Sequence, residues 1–207
     1  MSGAGATPHT RWRGQQRRIG LTGGIATGKS SVGHWLAEHG IPVLDADHYA
    51  REALAPGSPG SIAVLARYGP RVGATTCPTE INRKALAQVV FNDAQERQWL
   101  ESLVHPQVRS SFEAALQRNA KEPVVVLMIP LLFETGLEVL CSEIWVIACS
   151  TQQQTERLMA REQLNTEEAA QRIQAQWSLE RKTALADEVI DNNGAPGAWQ
   201  QQVASLL

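Results

Sequence analysis

The sequence predicts an α/β fold built around a parallel β-sheet. Five short apolar segments of strand length are separated by longer stretches with helical periodicity, which is the order expected of β-α-β units. One of them, residues 124–129, is an unbroken apolar run, as expected for a strand buried on both faces. Because 43% of the residues are hydrophobic and 19% are charged, a wholly disordered chain, a collagen-like repeat and a coiled coil are excluded.

The five predicted strands cover residues 18–22, 42–45, 124–129, 144–148 and 188–190. A first helix over 30–39 places apolar side chains at i, i+3, i+4 and i+7 and ends before Gly40 and Pro42. Residues 80–118 predict two or three helices interrupted at Pro106. Residues 153–184 predict two more, the second capped by Asn165 or Thr166. The stretch from Pro56 to Pro78 is rich in glycine and proline and is predicted to be a loop.

The domain organisation predicted from these elements is a short tail followed by one domain. Residues 1–17 carry arginines without acidic residues and cannot build a core, so they are predicted to be a disordered, solvated tail. The domain over 18–207 has a core of residues 18–50, 122–152 and 184–207, with a helical insertion over 51–121.

Charge, cysteine content and hydropathy point to a cytoplasmic protein. The basic surplus is confined to the tail, so no nucleic-acid partner is expected. No apolar run approaches the roughly 18 residues of a membrane span, and the tail lacks the apolar region of a secretory signal, so no membrane association is expected. Three cysteines without CxxC spacing indicate a reducing compartment, and Cys149 is expected to be buried.

A glycine-rich segment between the first strand and the first helix predicts a nucleoside triphosphate site. It reads Gly23-Gly24-Ile25-Ala26-Thr27-Gly28-Lys29-Ser30 and matches G-x-x-x-x-G-K-[ST]. Main-chain N–H groups and the helix N-terminus attract phosphate, Lys29 adds a charge near the β- and γ-phosphates, and Ser30 offers a hydroxyl to Mg²⁺. The alternative is a chance glycine-rich turn. The motif alone does not separate a kinase from a GTPase switch or a motor ATPase.

Two carboxylates, Asp45 and Asp47, follow the second strand. Ligands of parallel sheets bind beyond the carboxyl ends of the strands, and on an extended chain residues two apart point the same way. One carboxylate can order a metal shell or a basic partner, while the other accepts a proton from an attacking hydroxyl. The alternative is a pair of solvated turn aspartates or a helix N-cap.

These motifs together resemble those of the dephospho-CoA kinase family. The likeness covers residues 18 to about 200 and includes Gly20 to Ser31, Asp45-Ala46-Asp47, Ala50-Arg51, His105-Pro106, Pro130 to Glu134, Gln154 to Arg161, Arg172, Gln176, Ala186-Asp187 and Ile190 to Gly194. One departure is Ala26, where the family usually has glycine. Because alanine disfavours positive φ, we expect a right-handed or extended backbone there and little effect on binding.

The resemblance implies a three-layer P-loop NTPase fold of the nucleoside-monophosphate-kinase type, with a helical substrate domain over 51–121 and a lid over 153–183. It implies transfer of the γ-phosphoryl group of ATP to the ribose 3′-hydroxyl of dephospho-coenzyme A, giving coenzyme A and ADP. ATP is then the co-substrate, Mg²⁺ the metal, and a monomer the favoured state.

The resemblance also implies roles for individual residues. Asp47 is the catalytic base, assisted by Lys29, Arg157 and Arg161. Nucleotide binding falls to Gly23, Gly24, Ala26, Thr27, Gly28, Lys29, Ser30, Ser31 and Asn192. Substrate binding falls to Asp45, Asp47, His105 and Glu134, and magnesium binding to Ser30.

Three of these assignments have structural alternatives. Arg157 and Arg161 share one helix face, which can close over phosphates or can be an exposed face paired with glutamates. His105 can be a core histidine at a helix break, and Asn192 can belong to a plain turn.

Two rival functions remain open from the sequence. One is another P-loop kinase that acts on a nucleoside, a nucleotide or shikimate. The other is a nucleotide-dependent switch, although residues 150–153 read Ser-Thr-Gln-Gln where a guanine-reading site usually has Asn-Lys-x-Asp.

Overall fold

The computed structural model describes residues 11–74 and 77–207 and shows the expected five-stranded sheet. Its strands are β1 (Arg17–Gly23), β2 (Val43–Asp45), β3 (Val124–Met128), β4 (Glu143–Ala148) and β5 (Glu188–Asp191). The strand order is β2-β3-β1-β4-β5. β1 pairs in parallel with β3 and β4, and β4 pairs in parallel with β5, so the predicted α/β class is confirmed.

The helices of the described residues fill the intervals between the strands. They are α1 (Lys29–Glu38), α2 (Ala46–Ala53), α3 (Pro59–Tyr68), α4 (Arg83–Asn92), α5 (Ala94–Arg118), α6 (Thr151–Glu162), α7 (Thr166–Gln174), α8 (Leu179–Thr183) and α9 (Gln200–Leu206). Short 3₁₀ helices lie at Gly69–Arg71 and Leu137–Leu140. Over the described ranges, no helix combines the length and the apolar character that a bilayer crossing needs.

The chain divides into two compact units. The first contains the sheet and extends to Leu44, resuming at Arg118–Leu207. Its core joins the apolar faces of β1, α1, β4 and the C-terminal region, with Ile19, Leu21, Val32, Leu36, Val126, Trp145, Ile147, Ile190, Trp199 and Val203 all buried. Cys149 is buried as expected, and burial raises the pKa of the Cys141 thiol to about 12.

The second unit, Asp45–Gln117, is helical, and its bounds differ from those of the expected insertion over 51–121. The prediction of a loop from Pro56 to Pro78 is wrong in part, because α3 occupies Pro59–Tyr68. Ser58 caps this helix by accepting from the amide of Ser61, and Pro59 stands at the first helical position, where its missing N–H costs nothing. Val64 and Tyr68 then bury the inner face of the helix.

The predicted break at Pro106 is also absent. α5 is a single helix of 25 residues, and Pro106 lies inside it. Proline removes one rung of the hydrogen-bond ladder. One face of the helix is buried both before and after the missing hydrogen bond, through Val104, Val108 and Phe112. The packing of this face keeps the helix continuous.

The expected tail over 1–17 is corrected in its second half, while residues 1–10 lie outside the described part of the chain. Arg17 already belongs to β1. We call residues 11–16 the N-terminal strap, because Arg11 forms an ion pair with Asp187 and the amide of Trp12 donates to the carbonyl of Cys141. The Arg18 guanidinium lies 3.5 Å from the centre of the Trp12 ring. The contacts of Arg11 and Trp12 therefore attach the N-terminal strap to the domain, although its composition predicted a solvated tail.

The expected lid region holds three helices rather than two, α6, α7 and α8. Asn165 caps α7 in a reciprocal arrangement, in which its side chain accepts from the Glu168 amide and the Glu168 carboxylate accepts from the Asn165 amide. The predicted cap at Asn165 is confirmed.

Candidate active site

The glycine-rich segment forms a turn between β1 and α1. Gly28 stands at the N-cap of α1 with φ 98°, and no side chain caps this helix end. Thr27 is fully buried and its hydroxyl donates to the carbonyl of Gly24 at 2.9 Å, which closes the turn. An uncapped helix start with a left-handed glycine directs main-chain N–H groups outward, as a phosphate site requires.

Two glutamines hold the middle of this loop. The side-chain amide of Gln154, from α6, donates to the carbonyl of Ile25 at 2.7 Å. The amide of Ile25 in turn donates to the side-chain oxygen of Gln176 at 3.1 Å. Both glutamines lie within the expected lid region, so the phosphate loop and this region are hydrogen-bonded inside one compact unit.

Asn192 holds the phosphate loop through a side-chain hydrogen bond. It is buried, and its side-chain amide donates to the carbonyl of Thr27 at 2.8 Å. A Cβ atom on Gly28 would lie 2.2 Å from the same amide nitrogen, so only glycine allows this contact. The alternative that Asn192 belongs to a plain turn does not account for this contact with the phosphate loop.

The expectation for Ala26 is wrong, because its φ is +60° and its backbone is left-handed. A left-handed alanine costs about 1–2 kcal/mol relative to a right-handed one. The two hydrogen bonds made by the adjacent Ile25 hold the chain on either side of that peptide and offset part of this cost.

The two arginines of α6 have different environments. One guanidinium nitrogen of Arg157 donates to the carbonyl of Asn192 at 3.1 Å, and its Nη1 is buried without a hydrogen-bond partner within the described residues. Arg161 instead pairs with Glu162 at 2.6 Å, and its side chain is 56% exposed. The alternative of a glutamate-paired arginine thus describes Arg161, whereas Arg157 retains an unused buried donor beside the phosphate loop.

Glu134 follows β3 and is held from the opposite side by Lys182. The Lys182 ammonium, fully buried, lies 2.9 Å from Glu134 Oε1 and donates to the carbonyl of Pro130 at 2.9 Å. The amide of Trp177 also donates to Glu134 Oε1, whereas Oε2 is buried and has no partner among the described atoms. The Thr22 hydroxyl donates to the same Pro130 carbonyl, which links this cluster to the end of β1.

The acidic pair does not lie on an extended chain. Asp45 ends β2 with extended backbone angles, and its Oδ1 accepts from the amide of Asp47 at 2.9 Å, so Asp45 is the N-cap of α2. Asp47 is in the first turn of α2 and makes no ion pair within the described residues. The N-cap alternative describes Asp45, and the Asp47 carboxylate remains available.

A cavity of about 390 Å³ in the second unit brings Asp47 and His105 together. Arg51, Arg83, Leu54 and Glu101 also line it. His105 is exposed rather than part of the core, so the core-histidine alternative is wrong. The volume lies in the usual range of small-molecule sites, about 300–1,000 Å³.

Sequence reasoning assigned no role to Gln154, Gln176, Lys182, Arg51 or Arg83. The two glutamines and Arg51 lie in matched family segments, which was the available signal. Lys182 and Arg83 carried none, since a lysine or arginine in a helix is usually a solvated residue.

Nowhere in 11–74 and 77–207 do three His, Cys, Asp or Glu residues gather in a way that could hold a metal ion. Ser30 is exposed at the start of α1 and is the predicted ligand. A magnesium ion that is bound mainly by substrate phosphates and water needs only one or two such protein ligands.

Comparison with known proteins gives consistent matches. The sequence matches the model of the family CoaE: Dephospho-CoA kinase over residues 17–196. A dephospho-CoA kinase of Synechococcus sp. (strain CC9605) is 59% identical over 192 residues, covering 93% of this chain and 92% of the relative. Two solved structures are similar over nearly the whole chain. The crystal structure of TT1252 from Thermus thermophilus has a TM-score of 0.79 and 34% identity, covering 93% of this chain and 97% of that one. Dephospho-CoA kinase from Campylobacter jejuni has a TM-score of 0.68 and 25% identity, covering 91% and 94%.

Proposed function

The chain belongs to the dephospho-CoA kinase family, and on that premise we propose which of its residues carry out the family's reaction. The reaction moves the γ-phosphoryl group of ATP to the ribose 3′-hydroxyl of dephospho-coenzyme A and yields coenzyme A and ADP. It is the last step of coenzyme A biosynthesis.

The nucleotide is bound by the loop from Gly23 to Ser31. Its main-chain N–H groups and the uncapped start of α1 bind the phosphates, and the Lys29 ammonium neutralises charge at the β- and γ-phosphates. Arg157 adds a guanidinium whose Nη1 is buried and has no hydrogen-bond partner among the described residues, and phosphate is the anion that such a donor fits best. Arg161 reaches the nucleotide only by leaving Glu162, so we assign it the smaller share.

Asp47 acts as the general base. Its carboxylate takes the proton from the 3′-hydroxyl, the ribose oxygen forms a bond to the γ-phosphorus, and the bond from that phosphorus to the bridging oxygen breaks. ADP leaves with the electron pair of that bond. Phosphoryl transfer depends on positioning and charge stabilisation, and Asp47 contributes the proton acceptor. Asp45 positions Asp47 by capping α2.

Two further residues, His105 and Glu134, are proposed to contact the substrate. His105 lines the same cavity as Asp47, which supports assigning it to the acceptor. Glu134 keeps one buried oxygen without a partner, and a hydroxyl or amide of the substrate would satisfy it.

Mg²⁺ fits the donor set near the loop. The Ser30 hydroxyl stands exposed at the start of α1, and phosphate oxygens and water would complete the shell. When bound, the ion would neutralise charge on the transferred group. The three free cysteines are consistent with a cytoplasmic location, where ATP is supplied. We favour a monomer.

The observation that carries the proposal is the cavity that joins Asp47 to His105 within the helical unit of a chain with a phosphate loop. The test is an ATP-dependent assay with a panel of acceptors, in which product is identified by mass. We expect coenzyme A to form from dephospho-coenzyme A. Rapid turnover of a nucleoside monophosphate or shikimate, with none of dephospho-coenzyme A, would reject the proposal. Lys29→Ala is the control for ATP dependence.

A further inference from the structure

Two arginines lie side by side in the cavity of the helical unit. Arg51 is in the last turn of α2, and Arg83 is the first residue of α4. One Arg83 guanidinium nitrogen, Nη2, donates to the main-chain carbonyl of Arg51 at 3.1 Å, which places this guanidinium against the end of α2. Both residues line the cavity that contains Asp47 and His105.

Neither guanidinium has a carboxylate partner in the part of the chain that the structure describes. Asp47 stands one helical turn before Arg51, at the spacing that favours an ion pair, and Glu101 lines the same cavity. Ion pairs do form elsewhere in this unit, between Arg67 and Glu96 and between Arg109 and Glu113. Arg51 and Arg83 therefore bring two guanidinium groups that make no ion pair among the described residues into a concave site, which the carboxylates of Asp47 and Glu101 share.

The start of α4 adds to this potential. Arg83 follows the N-cap Asn82, so its backbone stands at the positive end of the helix dipole. Arginine presents N–H donors in a planar fork that matches phosphate oxygens. An anion with several oxygens, and not a single carboxylate, is the group that two guanidinium groups lining one cavity fit.

We propose that Arg51 and Arg83 bind the 5′-diphosphate of dephospho-coenzyme A. The inference rests on the proposed function and adds the group by which the acceptor is recognised. The diphosphate and the 3′-hydroxyl belong to one ribose, so holding the first fixes the second relative to Asp47. The arginines also offset the repulsion between the Asp47 carboxylate and an acceptor that carries negative charge.

The test uses Arg51→Gln, Arg83→Gln and the double variant in steady-state kinetics. We expect each single change to raise the KM for dephospho-coenzyme A by about 10-fold or more, the range for charge-assisted hydrogen bonds. The kcat and the KM for ATP stay within about twofold of the wild type, because ground-state binding of the acceptor alone is lost. Arg109→Gln is the matched control, since it removes an arginine of the same unit that does not line the cavity.

A second measurement separates diphosphate binding from loss of structure. Adenosine keeps the ribose and lacks the diphosphate, so its inhibition constant against dephospho-coenzyme A, at saturating ATP, should be the same in the wild type and the double variant. A parallel rise in both constants, or a KM no different from that of Arg109→Gln, would overturn the inference. Absence of coenzyme A formation by the wild type would instead refute the proposed function.

Discussion

The buried ammonium of Lys182 lies 2.9 Å from Oε1 of Glu134, so a charge from the helical segment before β5 neutralises one from the segment after β3. Burial lowers the pKa of Lys182, and its contact with Glu134 opposes that shift. The same ammonium holds the Pro130 carbonyl, which also receives the hydroxyl of Thr22. This pair thus connects the end of β1 to the segment that supports the phosphate loop.

Replacing Lys182 with methionine should destabilise the fold strongly. The substitution leaves the Glu134 carboxylate largely buried without a cation, which costs about 3–5 kcal/mol of unfolding free energy. Urea unfolding measures the loss. Lys84→Met, at an exposed lysine, should change little, and the double variant Lys182→Met with Glu134→Leu should recover much of the loss. Equal losses in the single and double variants would show that the pair contributes by packing alone.

Asp47→Asn should separate catalysis from nucleotide binding. The amide cannot accept the hydroxyl proton, so kcat should fall by roughly two to four decades while the dissociation constant for ATP stays near the wild-type value. Single-turnover kinetics and equilibrium titration measure the two quantities. Asp93→Asn is the matched control, because asparagine can replace aspartate as the cap that Asp93 provides to α5. Normal turnover in Asp47→Asn would remove this residue from the mechanism.

Gly28→Ala should weaken ATP binding far more than Gly40→Ala does. Both glycines have positive φ, at 98° and 80°, so each substitution carries a similar backbone cost of about 1–2 kcal/mol. A Cβ at Gly40 meets nothing within 4 Å, whereas at Gly28 it would displace the Asn192 amide from the loop. Calorimetric titration with ATP tests the difference. Equal affinity in the two variants would contradict the fit described for Gly28.

Glu96 should give the fold a measurable acid sensitivity. Hydrogen bonds from Arg67 and then from Tyr68 lower the pKa of Glu96 from its ordinary value to about 2. A depressed folded-state pKa stabilises the fold fully above about pH 4.5, and this contribution is lost as the pH falls toward about 2. The melting temperature of the wild type should therefore exceed that of Glu96→Gln near neutral pH and converge with it across that interval. A constant gap at every pH would refute the assignment.

The sheet and the phosphate loop could be predicted from sequence because each depends on local signals. Unbroken apolar runs gave the buried strands, and the spacing of Gly28, Lys29 and Ser30 marked the loop. α3 was missed because glycine and proline content outweighed the Ser58 cap and Pro59 at the first helical position, where proline favours a helix. The continuity of α5 through Pro106 depends on packing that no local rule contains.

The sequence could name candidate site residues, but it could not give the hydrogen-bond and ion-pair partners of those residues. Asp45 was named as a ligand or a cap, and only the observed hydrogen bond to Asp47 decides for the cap. Arg157 and Arg161 have the same sequence signal, yet one reaches Asn192 and the other Glu162. Lys182 and Glu134 are far apart in the chain, so their pairing required the tertiary structure.

The hydrogen bonds that Gln154 and Gln176 make to Ile25 allow this residue to report on the state of the phosphate loop. Its amide and its carbonyl are bound by glutamines from separate parts of the chain, one in α6 and one just after α7. A displacement of either part away from the loop would break a hydrogen bond at Ile25. The exchange rate and chemical shift of a single ¹⁵N-labelled amide, at Ile25, would therefore report whether its hydrogen bond to Gln176 is formed or broken.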